Sequence, residues 1–284
     1  MDADWECVVV GGGVAGLSAA LVLGRARRRT LLLDRRGQSN RAAEHVGGLL
    51  AQEGTSPDVL YARGREQLAL YDTVLIRDAE AVDARIEGDG LVAELDGGEE
   101  VRTRTMVLAT GMDYEVPDVP GFSEHWGGAV FHCPFCHGWE VRDRKLVVYD
   151  DGTMEEKAVL MRGWSNDVTV VDADEVAGLR VEEGTVRAVL RRDGSELECG
   201  AVMVPAPLRP RGRLPEQLGL ALTDQGLVEI DALAHTSVPG VLAAGDVAVA
   251  PQQVAIAMGS GHLAGTMAVR ELLLKPSPAP SGSS

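Results

Sequence analysis

The stretch Val8-Val-Val-Gly-Gly-Gly-Val-Ala-Gly16 decides the fold. An apolar run stops in glycine, and a helical pattern follows over 14–27. Gly11, Gly13 and Gly16 stand at G-x-G-x-x-G spacing between strand and helix. In such a turn the first glycine permits the sharp bend and the second lets the backbone approach a pyrophosphate. The third lets helix and strand pack closely. The helix N-terminus then offers its unpaired N–H groups to the phosphates. A second strand, Thr30 to Leu33, ends in Asp34, about 20 residues on, placed to accept hydrogen bonds from a ribose. A glycine triplet alone also makes a plain turn. Strand, helix and acid together predict a βαβ unit that binds a dinucleotide.

The pattern continues through a polar loop (37–57), a helical stretch (57–71), short alternating strands (74–95) and the buried strand 106–111, which ends in glycine. Residues 117–121 read as a linker. A second βαβ unit follows, with a strand at 145–149, a helix at 154–163 and a strand at 168–171. Hairpin-like strands over 179–205 complete it. Val238 to Asp246 is a strand leading into a final helix, about 252–274. The expected fold class is α/β, with two Rossmann-like, three-layer domains. One domain is discontinuous, 1–114 with 236–276. The other is 115–235, and 277–284 form a Pro/Ser-rich, disordered tail.

At 284 residues the chain accommodates two domains. Its net charge of −16 excludes a nucleic-acid partner, because no basic tract is large enough to hold a phosphate backbone. The cluster Arg25, Arg27, Arg28 and Arg29 reads as a solvated, dipole-matched helix end. Apolar runs fall short of a membrane span, and Met1 to Asp4 lack the start of a secretory signal, so the expectation is a cytoplasmic protein. Of the four cysteines, Cys7 and Cys199 read as inert packing residues.

The other two stand in Cys133-Pro-Phe-Cys136-His-Gly138. A CxxC pair in a dinucleotide-binding chain points to electrons moving between sulfur and a cofactor. Pro134 suits the first turn of a helix, and a helix start at the pair would lower a thiolate pKa. His137 titrates near neutrality and can act as general base for a thiol, with His132 flanking the other side. Trp126, Phe135 and Trp139 are candidates for an apolar wall and equally for ordinary core. Attachment of c-type haem to CxxCH requires export, and a zinc site requires two more ligands at suitable spacing, so neither is expected and no metal is assigned.

Ala109-Thr110-Gly111 and Gly245-Asp246 resemble the two signatures of the pyridine nucleotide-disulfide oxidoreductase superfamily. That resemblance implies FAD. It places Asp246 at the ribityl-phosphate region and Gln253 and Val254 at the flavin. The order of motifs, with the CxxC between two βαβ units, resembles the low-molecular-weight thioredoxin reductases over nearly the whole chain. The likeness implies that Cys136 is the flavin-proximal thiol, that Cys133 exchanges with substrate, and that the chain forms a homodimer. It also makes 1–114 with 236–276 the FAD-binding domain and 115–235 a degenerate NADPH-like domain carrying the CxxC.

The second fingerprint departs from that family. Asp150-Asp-Gly-Thr-Met-Glu155 puts an acid at the first glycine and another where a small residue closes helix onto strand. A carboxylate roughly 4 Å from a phosphate costs about 4 kcal/mol at an effective dielectric near 20, on the order of a thousandfold in affinity. Asp172, Ala173 and Asp174 stand where a basic cluster for a 2′-phosphate belongs. NADPH is therefore expected to bind poorly. The variant Cys-Pro-Phe-Cys-His-Gly resembles the FAD-dependent dithiol oxidases of the gliotoxin and holomycin type. It implies oxidation of a small-molecule dithiol to a disulfide, with electrons passing through FAD to O2 and peroxide as product. A disulfide reductase fed by a donor such as ferredoxin, an NADPH thioredoxin reductase, and a non-enzymatic flavin redox sensor are the alternatives.

Overall fold

A strand buried on both faces needs an unbroken apolar run rather than alternation, and Val8–Val10 supply one. In the computed structural model, which describes residues 4–274, this strand is β1 (Trp5–Val10). It is followed by α1 (Val14–Arg25), β2 (Thr30–Leu33), α2 (Pro57–Leu68), β3 (Val74–Arg77), β4 (Ala81–Glu87), β5 (Gly90–Leu95) and β6 (Glu100–Leu108). Next come β7 (Met112–Tyr114), β8 (Val130–Phe131), α3 (Pro134–His137), β9 (Leu146–Asp150), α4 (Glu155–Met161) and β10 (Val168–Asp172). Strands β11 (Val176–Glu182), β12 (Thr185–Arg191), β13 (Glu196–Glu198), β14 (Ala201–Met203) and β15 (Leu208–Pro210) precede α5 (Leu214–Gln217), β16 (Val241–Ala243) and α6 (Val254–Leu274). The expected tail, 277–284, lies outside the described residues.

The chain divides into two units. In the first, strands run in the order β3-β2-β1-β6, all parallel. The long β6 then serves two partners along its other edge. Its first half pairs antiparallel with β5, and Met106–Leu108 pair parallel with β16. Val10, Leu108 and Ala243 are thereby in register, so three adjacent parallel strands finish together. Helices α1 and α6 meet backbone to backbone, since a Cβ on Gly261 would lie 2.0 Å from the Ala15 carbonyl oxygen.

The second unit has a parallel sheet in the order β10-β9-β14-β8 and an antiparallel sheet β11-β12-β13. Alternate residues of β9 feed opposite faces, as the pleat requires. Val147 joins the cluster of Phe122, Val130 and Val202, while Leu146 and Val148 join that of Phe131 and Met161.

The domain boundaries differ from those read in the sequence. Residues 39–57 cluster with the CxxC unit, and 210–235 cluster with the dinucleotide unit. The physical reason is burial. Leu214, Leu218, Leu220 and Val228 complete the core formed by Val8, Leu31 and Met106, and burying each leucine stabilises by about 1.5–3 kcal/mol. The 39–57 loop instead packs on 127–140. A Cβ on Gly127 would meet the Ala42 carbonyl oxygen at 2.5 Å, and one on Gly47 would meet the Cys136 carbonyl oxygen at 2.8 Å. Residues 117–121 are coil but no free linker, because Val116 and Val119 pack against Phe122 and its neighbours.

Candidate active site

The first candidate site lies at the carboxyl ends of β1, β6 and β16, where open parallel sheets bind ligands. Their shared register places Gly11, Ala109–Gly111 and Ala244–Asp246 side by side. Gly11 has φ +112°, and a Cβ there would sit 2.1 Å from the Ala109 carbonyl oxygen, so only glycine fits. A Cβ on Gly16 would lie 1.8 Å from the Gly11 carbonyl oxygen, which is the close helix–strand contact expected. Nothing lies within 4 Å of a Cβ built on Gly13. That open side, at the N-cap of a helix with no acid in its first turn, fits an approaching phosphate.

Asp34 is nearly inaccessible and already well supplied with donors. Its Oδ2 accepts from Arg65 Nη1 at 2.7 Å, and its Oδ1 accepts from the Arg36 amide at 2.8 Å and Gln38 Nε2 at 3.0 Å. A carboxylate offers about four acceptor positions, so little capacity is left for a ribose. Gly12 makes this placement possible, because a Cβ on it would collide with the Asp34 carboxylate at 2.1 Å. Nothing local in the sequence points to Gly12 or Arg65 as partners of Asp34.

Thr110 Oγ1 is buried without a hydrogen-bond partner among the described residues, an orphan that a bound group would satisfy. Gly111 follows with φ +72°. The amide of Gly245 donates to Ser260 Oγ at 2.9 Å, and a Cβ on Gly245 would reach Ala15 Cβ at 2.8 Å, so the late Gly-Asp sits on the first helix. Burial pushes the Asp246 carboxyl up to about 6, against the opposing pull of Arg211. Gln253 and Val254 are at the start of α6, where the Gln253 carbonyl accepts from the Ala257 amide at 2.8 Å. The residues present fit FAD, with a glycine cradle, an orphaned hydroxyl and a desolvated carboxyl at one strand-end cluster.

The second candidate site belongs to the other unit. β8 delivers His132 and Cys133, and Cys133 is the N-cap of α3 with Pro134 at its first position. The Cys133 carbonyl accepts from the amides of Cys136 and His137 at 3.2 Å each. This tight turn brings the two sulfurs to 2.7 Å, an approach that a disulfide bond would close to about 2.05 Å. Gly138 has room only for hydrogen, since a Cβ would meet the Pro134 carbonyl oxygen at 2.4 Å and Trp164 at 2.8 Å. Cys7 and Cys199 are buried elsewhere, and burial raises their thiols to about 12 and about 11, which keeps them protonated.

The His137 ring stacks on Phe131 and its Nε2 donates to the Gly127 carbonyl at 3.0 Å. A carbonyl only accepts, so Nε2 carries the proton and Nδ1 is the basic nitrogen. Nδ1 is buried and has no partner among the described residues. Desolvation holds the imidazole below its ordinary range, opposed by the Gly127 hydrogen bond and the charge of Glu140. The ring is therefore neutral at pH 7 and able to take a proton. His132 differs. It clusters with Tyr114 and Trp126, whose centroids are 4.4 and 5.4 Å away and 5.9 Å from each other, and burial lowers it to about 4. Of the candidate wall residues, Trp126 belongs to this cluster, while Phe135 and Trp139 are exposed, the first edge-on to Trp164 and the second under the Arg142 guanidinium.

At the start of α4 the second fingerprint is filled by its own side chains. Asp150 Oδ1 accepts from the amides of Gly152 at 2.8 Å and Met154 at 3.0 Å. Asp151 Oδ1 accepts from the Thr153 amide at 3.1 Å and hydroxyl at 2.5 Å. Glu155 and Glu156 occupy the first helical turn.

Comparison with known proteins follows the same lines. The model of the pyridine nucleotide-disulphide oxidoreductase family matches residues 5–160 and 156–261. A thioredoxin reductase of Leptosphaeria maculans, sirT, is 30% identical, with 92% of each chain covered. The crystal structure of HlmI superposes with a TM-score of 0.91 at 33% identity, covering 95% of this chain and 93% of that one. An oxidoreductase from Agrobacterium tumefaciens gives 0.88 at 30% identity, covering 95% and 99%. No helix among the described residues is long and apolar enough to cross a membrane.

Proposed function

The chain belongs to the pyridine nucleotide-disulphide oxidoreductase family, and on that premise we propose that it is an FAD-dependent oxidase of a small-molecule dithiol, with O2 as electron acceptor. It is an enzyme of the thioredoxin-reductase-like disulfide oxidoreductase class. The observation that carries the finer reading is the loop at 150–154. Its amides, which would cradle the phosphates of a second dinucleotide, are bound by the carboxylates of Asp150 and Asp151. Entry of NADPH requires those bonds to break and a phosphate to sit against two acids. A flavoenzyme so arranged takes its electrons from elsewhere, and the Cys133–Cys136 pair is the available entry.

In the proposed cycle, His137 Nδ1 removes the proton of a substrate thiol. The thiolate attacks Cys133 Sγ in the Cys133–Cys136 disulfide, and Cys136 leaves as thiolate. The second substrate thiol attacks the substrate sulfur of the mixed disulfide and expels Cys133. The substrate has lost two electrons and two protons: the cysteine pair has gained the electrons, His137 holds the first proton, and the second passes to the departing Cys133 sulfur. FAD, when bound, supplies two-electron acceptance from the dithiol pair and return of those electrons to oxygen. In the dinucleotide unit the Gly11–Gly16 turn would hold the pyrophosphate, with Gly13 at its open side, Asp34 would lie at the ribose end, and Thr110, Gly111, Gly245, Asp246, Gln253 and Val254 would hold the rest of the cofactor. Exposed Phe135, between the two cysteines in the turn, gives an apolar substrate a surface.

The test is a Cys133→Ser protein supplied with a small dithiol in air. Oxygen consumption falls to the level of free FAD while the flavin stays bound. A variant that retains the full oxidase rate contradicts the mechanism.

A further inference from the structure

Two buried polar atoms near the cysteine turn lack partners among the described residues, and they lie three residues apart. One is His137 Nδ1 and the other is Glu140 Oε2. The Glu140 amide donates to the His137 carbonyl at 3.1 Å, so the turn continues past α3. Residues at i and i+3 of such a turn share a face. The other Glu140 oxygen, Oε1, is 3.0 Å from His45 Nε2. His45 comes from the 39–57 loop, whose Gly47 rests against the Cys136 carbonyl. Satisfying one carboxylate oxygen and leaving its twin buried is costly unless that twin has a use.

We propose that Glu140, anchored by His45, is a positioning residue that acts on His137 through its charge, its unpartnered Oε2 stabilising the imidazolium that forms when Nδ1 takes a thiol proton. This deepens the oxidase reading and rests on it for the role of His137. The Gly127 carbonyl, not Glu140, holds the N–H that fixes the tautomer, so the carboxylate acts on the protonated ring by its charge and not as the hydrogen-bonded third member of a triad. The proton moves from the substrate sulfur to Nδ1, and the Glu140 charge neutralises the cation without itself being protonated. Phe131 and the Gly127 carbonyl contact the ring, and the titratable groups whose charge acts on it are His132 after β8, His45 from the loop, and Glu140. Glu140 favours the protonated ring, while His45 disfavours it.

The experiment is a histidine 15N titration by NMR of the flavin-loaded chain, compared with Glu140→Gln and Glu140→Asp. Glu140→Gln moves the His137 midpoint about one unit lower, with His132 unmoved as an internal check on folding, and Glu140→Asp restores part of the shift. The acid limb of dithiol-driven flavin reduction moves to lower pH by the same amount, and the plateau rate falls about tenfold. An unchanged His137 midpoint in Glu140→Gln, with dithiol reduction intact, overturns the role of Glu140 and leaves the oxidase standing. A shifted midpoint in a protein that no dithiol reduces supports the pairing and sinks the oxidase reading instead.

Discussion

The two βαβ mouths of this chain, at 11–16 and 150–155, share a topology and differ in how they treat an anion. At the first, the space beside Gly13 is open and the opening turn of α1 carries no acid. At the second, Asp150 caps the loop amides and two glutamates begin α4. A carboxylate on the chain does at the second mouth what a bound phosphate would do at the first. Such a cap satisfies the orphan amides of a helix start within the protein, so the local fold survives loss of the ligand. The second unit can therefore keep its Rossmann-like form without the nucleotide.

The largest effects are expected from breaking the open mouth. Gly11→Val places carbon atoms inside the Ala109 carbonyl and forces a branched residue into φ +112°. Purified Gly11→Val protein should contain no flavin by absorbance, and Gly16→Val should lose it as well. Flavin at wild-type stoichiometry in either variant would remove the cradle from its assigned role.

Opening the closed mouth is the next test. Asp150→Gly combined with Glu155→Ala frees the amides of Gly152 and Met154 and removes two acids. The double variant should gain at least tenfold in affinity for NADH by isothermal titration, since each close carboxylate contact is worth that much or more. NADH should bind better than NADPH, because Asp172 and Asp174 still oppose a 2′-phosphate.

A smaller effect concerns Asp246. Its folded-state carboxyl titrates near 6, above the ordinary carboxylate range, so the folded chain holds this proton more tightly than the unfolded one. Stability of the flavin-free protein therefore falls as pH rises through that window, and the penalty is fully present above about 6. Asp246→Asn removes a cost of about 1–3 kcal/mol, which should raise the flavin-free Tm at pH 8 by several degrees and near pH 4 by almost nothing. The same variant should bind FAD more weakly. Equal Tm gains at both pH values would show that desolvation of the charge is not the cause.

Much of this was legible in the sequence because it is encoded locally. The glycine spacing, the strand ending in Asp34, the Cys-Pro-Phe-Cys turn and the acids at 150 and 155 are all short-range patterns, and each falls on the element expected of it. What escaped notice depends on contacts between distant residues. His45 and Glu140 are 95 positions apart, and nothing in a polar loop at 37–57 announces that it packs on the cysteine turn. Arg65 reaches Asp34 across 31 positions, which changed Asp34 from an open ribose acceptor to a buttressed carboxylate. The segment 210–235 falls in the dinucleotide unit because its leucines find their core in strands far earlier in the chain. The acid at 150 is visible in the sequence. That the same carboxylate would bond the loop amides required coordinates.

The central claim is that electrons enter through Cys133 and Cys136 and not through a nicotinamide, and anaerobic mixing of the flavin-loaded protein tests it most directly. A small dithiol should bleach the visible flavin absorbance within seconds, while NADPH in large excess leaves it unchanged. Rapid bleaching by NADPH, with the dithiol inert, would contradict the account.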